Sequence, residues 1–238
     1  MLKLLAANEQ GLSAVQFEQR LNIPRTTAFR ILKTLLQAGM IEKKESFFFP
    51  GPSLMEVGLM ALQKSQVRGL AVPFLQKLTE QTGMTAHLAI PSGWHSLILE
   101  VCDSADPIRV ASRPGTLADL HCSATGKIFL AFCYADRLEE FCRDVQPAQR
   151  TAHTVTTLDG LRTLSAQVRK QGYAVDEQEY HLNVRCLAAP VKDMRRQVVA
   201  ALGVTAPDNV FTHERIEAVC QAVVEAASTL SLKNGYSM

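Results

Sequence analysis

No apolar run in this 238-residue chain approaches the roughly 20 residues that a membrane-spanning helix needs, so a helical membrane protein is excluded. The opening Met1-Leu2-Lys3-Leu4-Leu5 leads straight into a segment holding Asn8 and Glu9, without a signal-peptide pattern, and a cytoplasmic location is expected. CxxC pairs and His-containing metal spacings are missing. The six cysteines (Cys102, Cys122, Cys133, Cys142, Cys186, Cys220) and six histidines are scattered, which predicts reduced core thiols, no metal and no cofactor. The GxSxG and P-loop signatures are absent too, as are internal repeats and low-complexity tracts. What is present is 47% hydrophobic and 20% charged, the composition of a globular protein long enough for two cores.

The net charge of +2 is unevenly placed. Residues 1–52 hold seven Lys/Arg against four Asp/Glu, net +3, and the remainder eighteen against nineteen, net −1. The positive end also carries the clearest pattern. Ser13 is a helix N-cap followed by Val15, Phe17 and Leu21 as an apolar side. After a polar break, Pro24 suits the first turn of a second helix in which Ala28, Ile31, Leu32 and Leu35 form one buried face. Thr26, Arg30, Lys33 and Gln37 share the opposite face, with Arg25 and Thr27 at its start. Beyond Gly39, two short runs about Glu45-Ser46 predict a β-hairpin. Helix, break, basic helix and hairpin together predict a winged helix-turn-helix. Its Arg25, Thr26, Thr27 and Arg30 would read base edges and Lys33 would contact phosphate. So small a positive excess requires a dimer or larger assembly to pool contacts.

A helix over Leu54–Gln63 follows the Pro50-Gly51-Pro52 break, and a second runs from Leu70 to Thr82 with Pro73 in its first turn. Strand texture covers Thr85–Ile90, Ser96–Val101 and Ile108–Ala111. Helices follow at Ala124–Phe132, Arg137–Cys142 and Leu158–Gln171. Tyr173–Asp176, Val184–Val191 and Val198–Thr205 read as strands, the last two adjacent and antiparallel, before a final helix over Arg215–Leu230. Four or five strands with packed helices make the fold class α+β.

Three places in the larger part suit a ligand. The small, polar His121-Cys122-Ser123-Ala124-Thr125-Gly126-Lys127 precedes an apolar helix whose first N–H groups can hold an anion, or Ser123 simply caps that helix. Asp176 heads either a site or a solvated turn. Cys186 in its apolar strand is either a ligand contact or a core thiol, and Thr205 ends the neighbouring strand.

The chain resembles an IclR-type bacterial transcriptional regulator over nearly its whole length. The resemblance rests on Leu21–Leu32, Leu120–Lys127, Gly172–Glu179 and Val184–Val191, and an Asp ten residues before a Cys is its most diagnostic feature. It implies a winged helix-turn-helix over 1–52, a linker helix over 53–66, and a GAF-like effector and oligomerisation domain over 67–238 with a six-stranded antiparallel sheet. It further implies a homodimer or homotetramer acting, as a repressor, on a palindromic double-stranded DNA operator. The implied effector is a small carboxylate, keto acid or aldehyde acid, contacted by Ala124, Thr125, Asp176, Val184, Cys186, Gly203 and Thr205. The chain departs from the family pattern at several points. Gly203 stands where many relatives have Ser, leaving room even for an aromatic acid, and Asn183 stands where Gly is usual. Three Phe residues in the hairpin argue against a DNA contact there. The chain also starts at the first helix without the usual upstream residues, as a truncated or misassigned start would leave it.

Two other readings compete. One is an enzyme with Cys186 as nucleophile and His181 or His121 as base, although an apolar setting disfavours the thiolate. The other keeps the DNA-binding frame and makes Cys186 a redox sensor.

Overall fold

The computed structural model describes residues 1–107, 109–110 and 112–236 and divides into two compact units, Met1–Ser65 and Gln66–Met238. The helix expected to link the domains thus belongs to the first unit, where Gly51 N–H donates to Met40 O and Ser53 N–H to Gly39 O.

The first unit runs α1 (Leu2–Ala6), β1 (Leu12–Ser13), α2 (Ala14–Leu21), α3 (Arg25–Gln37), β2 (Ile41–Lys44), β3 (Phe47–Pro50) and α4 (Pro52–Gln63). Ser13 caps α2 with a complete capping box: Gln16 N–H donates to its Oγ, and Ser13 N–H donates to Gln16 Oε1. Pro24 is itself the N-cap of α3, one residue before the helical turn expected for it. The core holds Leu5, Leu12, Phe17, Leu32, Ile41 and Phe48. Phe48 tilts onto Phe17 at 6.3 Å, so one of the three hairpin phenylalanines is committed to packing. Two expected core residues lie outside. Val15 is 52% exposed because it is two positions, more than half a turn, from Phe17 on α2. Ile31 is 38% exposed at the edge of the stripe made by Ala28, Leu32 and Leu35.

In the second unit α5 (Gln66–Thr82) begins four residues before the expected start, placing Pro73 in the helix interior, where it has no N–H to donate to the Gly69 carbonyl. Then follow β4 (Thr85–Ser92), β5 (His95–Cys102), β6 (Leu117–Asp119), α6 (Ala124–Cys133), α7 (Leu138–Val145), α8 (Leu158–Gln171), β7 (Ala174–Glu177), β8 (Val184–Lys192), β9 (Val198–Pro207) and α9 (Ile216–Lys233). The strand expected over 108–111 is not found at Arg109 and Val110, while Ile108 and Ala111 lie outside the described residues. The edge strand there is β6, paired with β5.

Six strands in the order β6-β5-β4-β9-β8-β7, all antiparallel, make one sheet. Strand alternation splits its residues between two faces. Ala89, Ala188 and Ala201 pack with Ile128 and Phe129 of α6 and with Leu161 and Val168 of α8. Leu187, Leu202 and Val204 point the other way, where α5 and α9 pack against each other and the sheet. The winged-helix unit and this helix-flanked antiparallel sheet together make an α+β protein. Among the described residues no helix is long and apolar enough to cross a membrane.

Candidate functional site

The register of the sheet aligns residues far apart in the chain. Asp176 pairs with Cys186 across β7 and β8, and Cys186 pairs with Thr205 across β8 and β9. The three therefore share one face and one row, closed by the start of α6. Together with Ala124, Thr125 and Val184 they line a cavity of about 230 Å³, whose wall also includes His87, Ser123, Tyr180 and His181. Of the seven residues expected at an effector site, Gly203 alone is not in the lining. It lies opposite His87 and Ala188, and a Cβ there would come 2.6 Å from Leu187 O and 3.0 Å from the Ala188 Cβ. The extra room expected from Gly203 does not exist, because the neighbouring strand fills it.

The loop after β7 is built to aim Asp176. Its Oδ1 accepts from Glu179 N at 2.8 Å and Tyr180 N at 3.2 Å. Buried Lys127 of α6 donates to Val175 O and pairs with Glu179, tying this loop to the helix start. Asn183 has φ +62°, a left-handed conformation that Gly adopts freely and Asn tolerates better than most residues. That accounts for Asn at the position where the family pattern has Gly.

Asp176 is 1% exposed, and its Oδ2 has no hydrogen-bond partner. Burial raises its pKa to about 7, against the opposing pull of its backbone donors and of Lys127. His87 is likewise buried, with Nδ1 unpartnered, and burial lowers its pKa to about 4. Cys186 donates to Thr205 Oγ1 at 3.1 Å, and burial, then the charge of Asp176, push its thiol well above the usual range. Thr125 Oγ1 meets Ser96 Oγ at 2.8 Å. On α6, Ser123 Oγ takes Gly126 N–H and Ser123 O takes Lys127 N–H. The N–H groups of Ala124 and Thr125, in the first turn, have no intrahelical acceptor. The cavity thus offers first-turn helix donors for an anion, and its wall holds two residues with an unpartnered polar atom, Asp176 and His87.

Sequence reasoning missed His87 and Tyr180, and it weighed His181 only as a base. His87 did leave a signal, as the one ionisable residue in the apolar run Thr85–Ile90.

In the first unit Arg25, Thr26, Arg30 and Lys33 are exposed along α3, and Thr27 is half-buried. Arg25 stacks over Phe29 at 5.6 Å, and Phe29, 47% exposed, is an apolar member of this face that periodicity did not single out.

Comparison with known proteins agrees with this architecture. Residues 1–45 match the family model of the IclR helix-turn-helix domain, and residues 59–232 that of the bacterial transcriptional regulator IclR C-terminal domain. The chain is 33% identical to the HTH-type transcriptional regulator BhcR of Paracoccus denitrificans, covering 95% of this chain and 82% of that protein. It is 26% identical to the transcriptional repressor IclR of Escherichia coli, covering 99% and 87% of the two chains. The crystal structure of Thermotoga maritima IclR superposes with a TM-score of 0.73 at 28% identity, over 99% of this chain and 96% of that one.

Proposed function

The chain belongs to the IclR family of bacterial transcriptional regulators, and from that premise we propose that it is a repressor released from its operator by a small organic acid. The observation that carries the effector half is the pair of unpartnered buried polar atoms, Asp176 Oδ2 and His87 Nδ1, on residues lining one cavity with the start of α6. A buried polar group without a partner costs about 1–3 kcal/mol, and a ligand that supplies the partner recovers it. The cavity volume of about 230 Å³ lies below the range usual for drug-sized ligands. A small carboxylate, keto acid or aldehyde acid fits, with its carboxylate at the Ala124 and Thr125 N–H groups and its second oxygen near Asp176.

The DNA half rests on the exposed cations of α3. A homodimer, or a homotetramer built from two, would set two such helices in successive major grooves about 34 Å apart, on a palindromic operator. Effector binding would shift the population between dimer geometries that fit and do not fit that spacing.

The test is a thermal-shift screen of small organic acids on the purified full chain, followed by operator binding with each hit. An acid that raises the melting temperature should weaken operator binding, and Asp176→Asn should abolish both effects while leaving ligand-free operator binding intact. Hits that act equally on Asp176→Asn would remove this cavity from the reading.

A further inference from the structure

Beside the effector cavity lies a second cluster. The turn from β6 into α6 is closed by Asp119 O, which accepts from Ser123 N at 3.3 Å and from Ser123 Oγ at 2.6 Å. This tight reversal brings a carboxylate oxygen of Asp119, a ring nitrogen of His121 and Cys122 Sγ within 4.8 Å of one another. His121 and Cys122 are 1% and 0% exposed. His121 Nε2 is 2.9 Å from the Ala148 carbonyl, which can only accept. That contact places the ring proton on Nε2 and leaves Nδ1 a lone pair, buried and without a partner. A metal-binding histidine is oriented in this way, one nitrogen donating to a backbone carbonyl while the other faces the ion.

We propose that Asp119, His121 through Nδ1, and Cys122 bind a divalent cation of borderline softness, Zn²⁺ above all. One oxygen, one nitrogen and one sulfur suit such an ion and do not suit Mg²⁺ or Ca²⁺, which take oxygen ligands. Three protein ligands leave a fourth, tetrahedral position open to a further ligand. Arg150 Nε holds Asp119 Oδ2 at 2.5 Å, which leaves the other carboxylate oxygen for the ion. The same guanidinium lies 4.3 Å over the Tyr180 ring, a cavity-lining residue, so metal occupancy would be felt in the effector wall. Forming the sulfur–metal bond replaces the thiol hydrogen, and that proton passes to solvent.

Co²⁺ is the probe, because tetrahedral Co²⁺ absorbs in the visible and its thiolate bond adds a near-ultraviolet charge-transfer band. Titrated into the reduced, chelator-stripped full chain, Co²⁺ should develop both features to one equivalent per chain, and Zn²⁺ should bleach them. Cys122→Ser should lose the charge-transfer band, and Asp119→Asn should weaken binding at least ~10-fold. Cys186→Ser should titrate like the parent chain. Should Cys122→Ser fail to fold, the parent and Asp119→Asn titrations decide the matter. A parent chain with no charge-transfer band, or a band retained in folded Cys122→Ser, overturns the site. So does an Asp119→Asn affinity equal to the parent's.

Discussion

Asp176 and Cys186 stand directly opposite one another in the β7–β8 ladder, ten residues apart in the chain. The separation follows from a short reversal, residues 178–183, whose backbone N–H groups at Glu179 and Tyr180 turn back onto Asp176 Oδ1. One carboxylate oxygen is thereby used to build the loop, and the other is buried without a hydrogen-bond partner.

The burial of Asp176 and of His87 makes opposite demands on pH. Asp176 rises from 3.8 to about 7, so the folded chain holds the extra proton and stability falls as pH rises through that window. His87 falls from 6.5 to about 4, so the unfolded chain binds the proton first and stability falls as pH drops through that window. Urea unfolding from about pH 4 to 8 should therefore be flatter for the parent than for either single variant. Asp176→Asn should lose stability toward acid and His87→Gln toward neutral pH, each by up to a few kcal/mol. Parallel pH profiles for the two variants would contradict these assignments.

Arg30 and Lys33 both lie exposed on α3, but they are expected to do different work. Arg30→Ala should cost about 1–3 kcal/mol of operator affinity and relax base preference. Lys33→Ala should weaken all sequences alike and lower the salt slope of binding by about 1 per site. Fluorescence anisotropy at several salt concentrations separates the two, and identical salt slopes for both variants would refute the division. Effector affinity should be unchanged in both.

Gly203→Ser restores the residue common in the family pattern and should nonetheless destabilise this chain. The new Cβ would lie 2.6 Å from Leu187 O, and strand β8 would have to move. A loss of about 1–3 kcal/mol in urea unfolding is expected. A neutral or stabilising effect would show that β8 and β9 give way more easily than their register suggests.

Cys186 should react slowly with iodoacetamide near neutral pH, since burial and the charge of Asp176 keep it as a thiol hydrogen-bonded to Thr205. Mass spectrometry of the alkylated chain measures this directly. Rapid, stoichiometric labelling would revive the nucleophilic and redox readings of this residue.

The helices of the first unit were legible because their determinants are local. The Ser13 capping box, Pro24 at the helix start and the Ala28, Leu32, Leu35 stripe all lie within a few residues of what they organise. The diagnostic Asp176 and Cys186 were legible for a similar reason, as one hairpin sets both. Periodicity placed Val15 and Ile31 inside, because it gives a direction around a helix but not how far the partner surface extends.

What the sequence determined by itself was thus the set of short-range choices: where helices start, which strands alternate, and where the positive charge collects. The tertiary structure alone decided which of these meet. His87 and Asp176 line one cavity only because β9 and β8 carry the sheet from β4 to β7, Gly203 is excluded only because Ala188 and Leu187 stand against it, and Ala148 orients His121 from 27 residues away. Each depends on register between strands or on a loop returning to the sheet. Those are contacts between distant segments, which the pattern of any one segment does not encode.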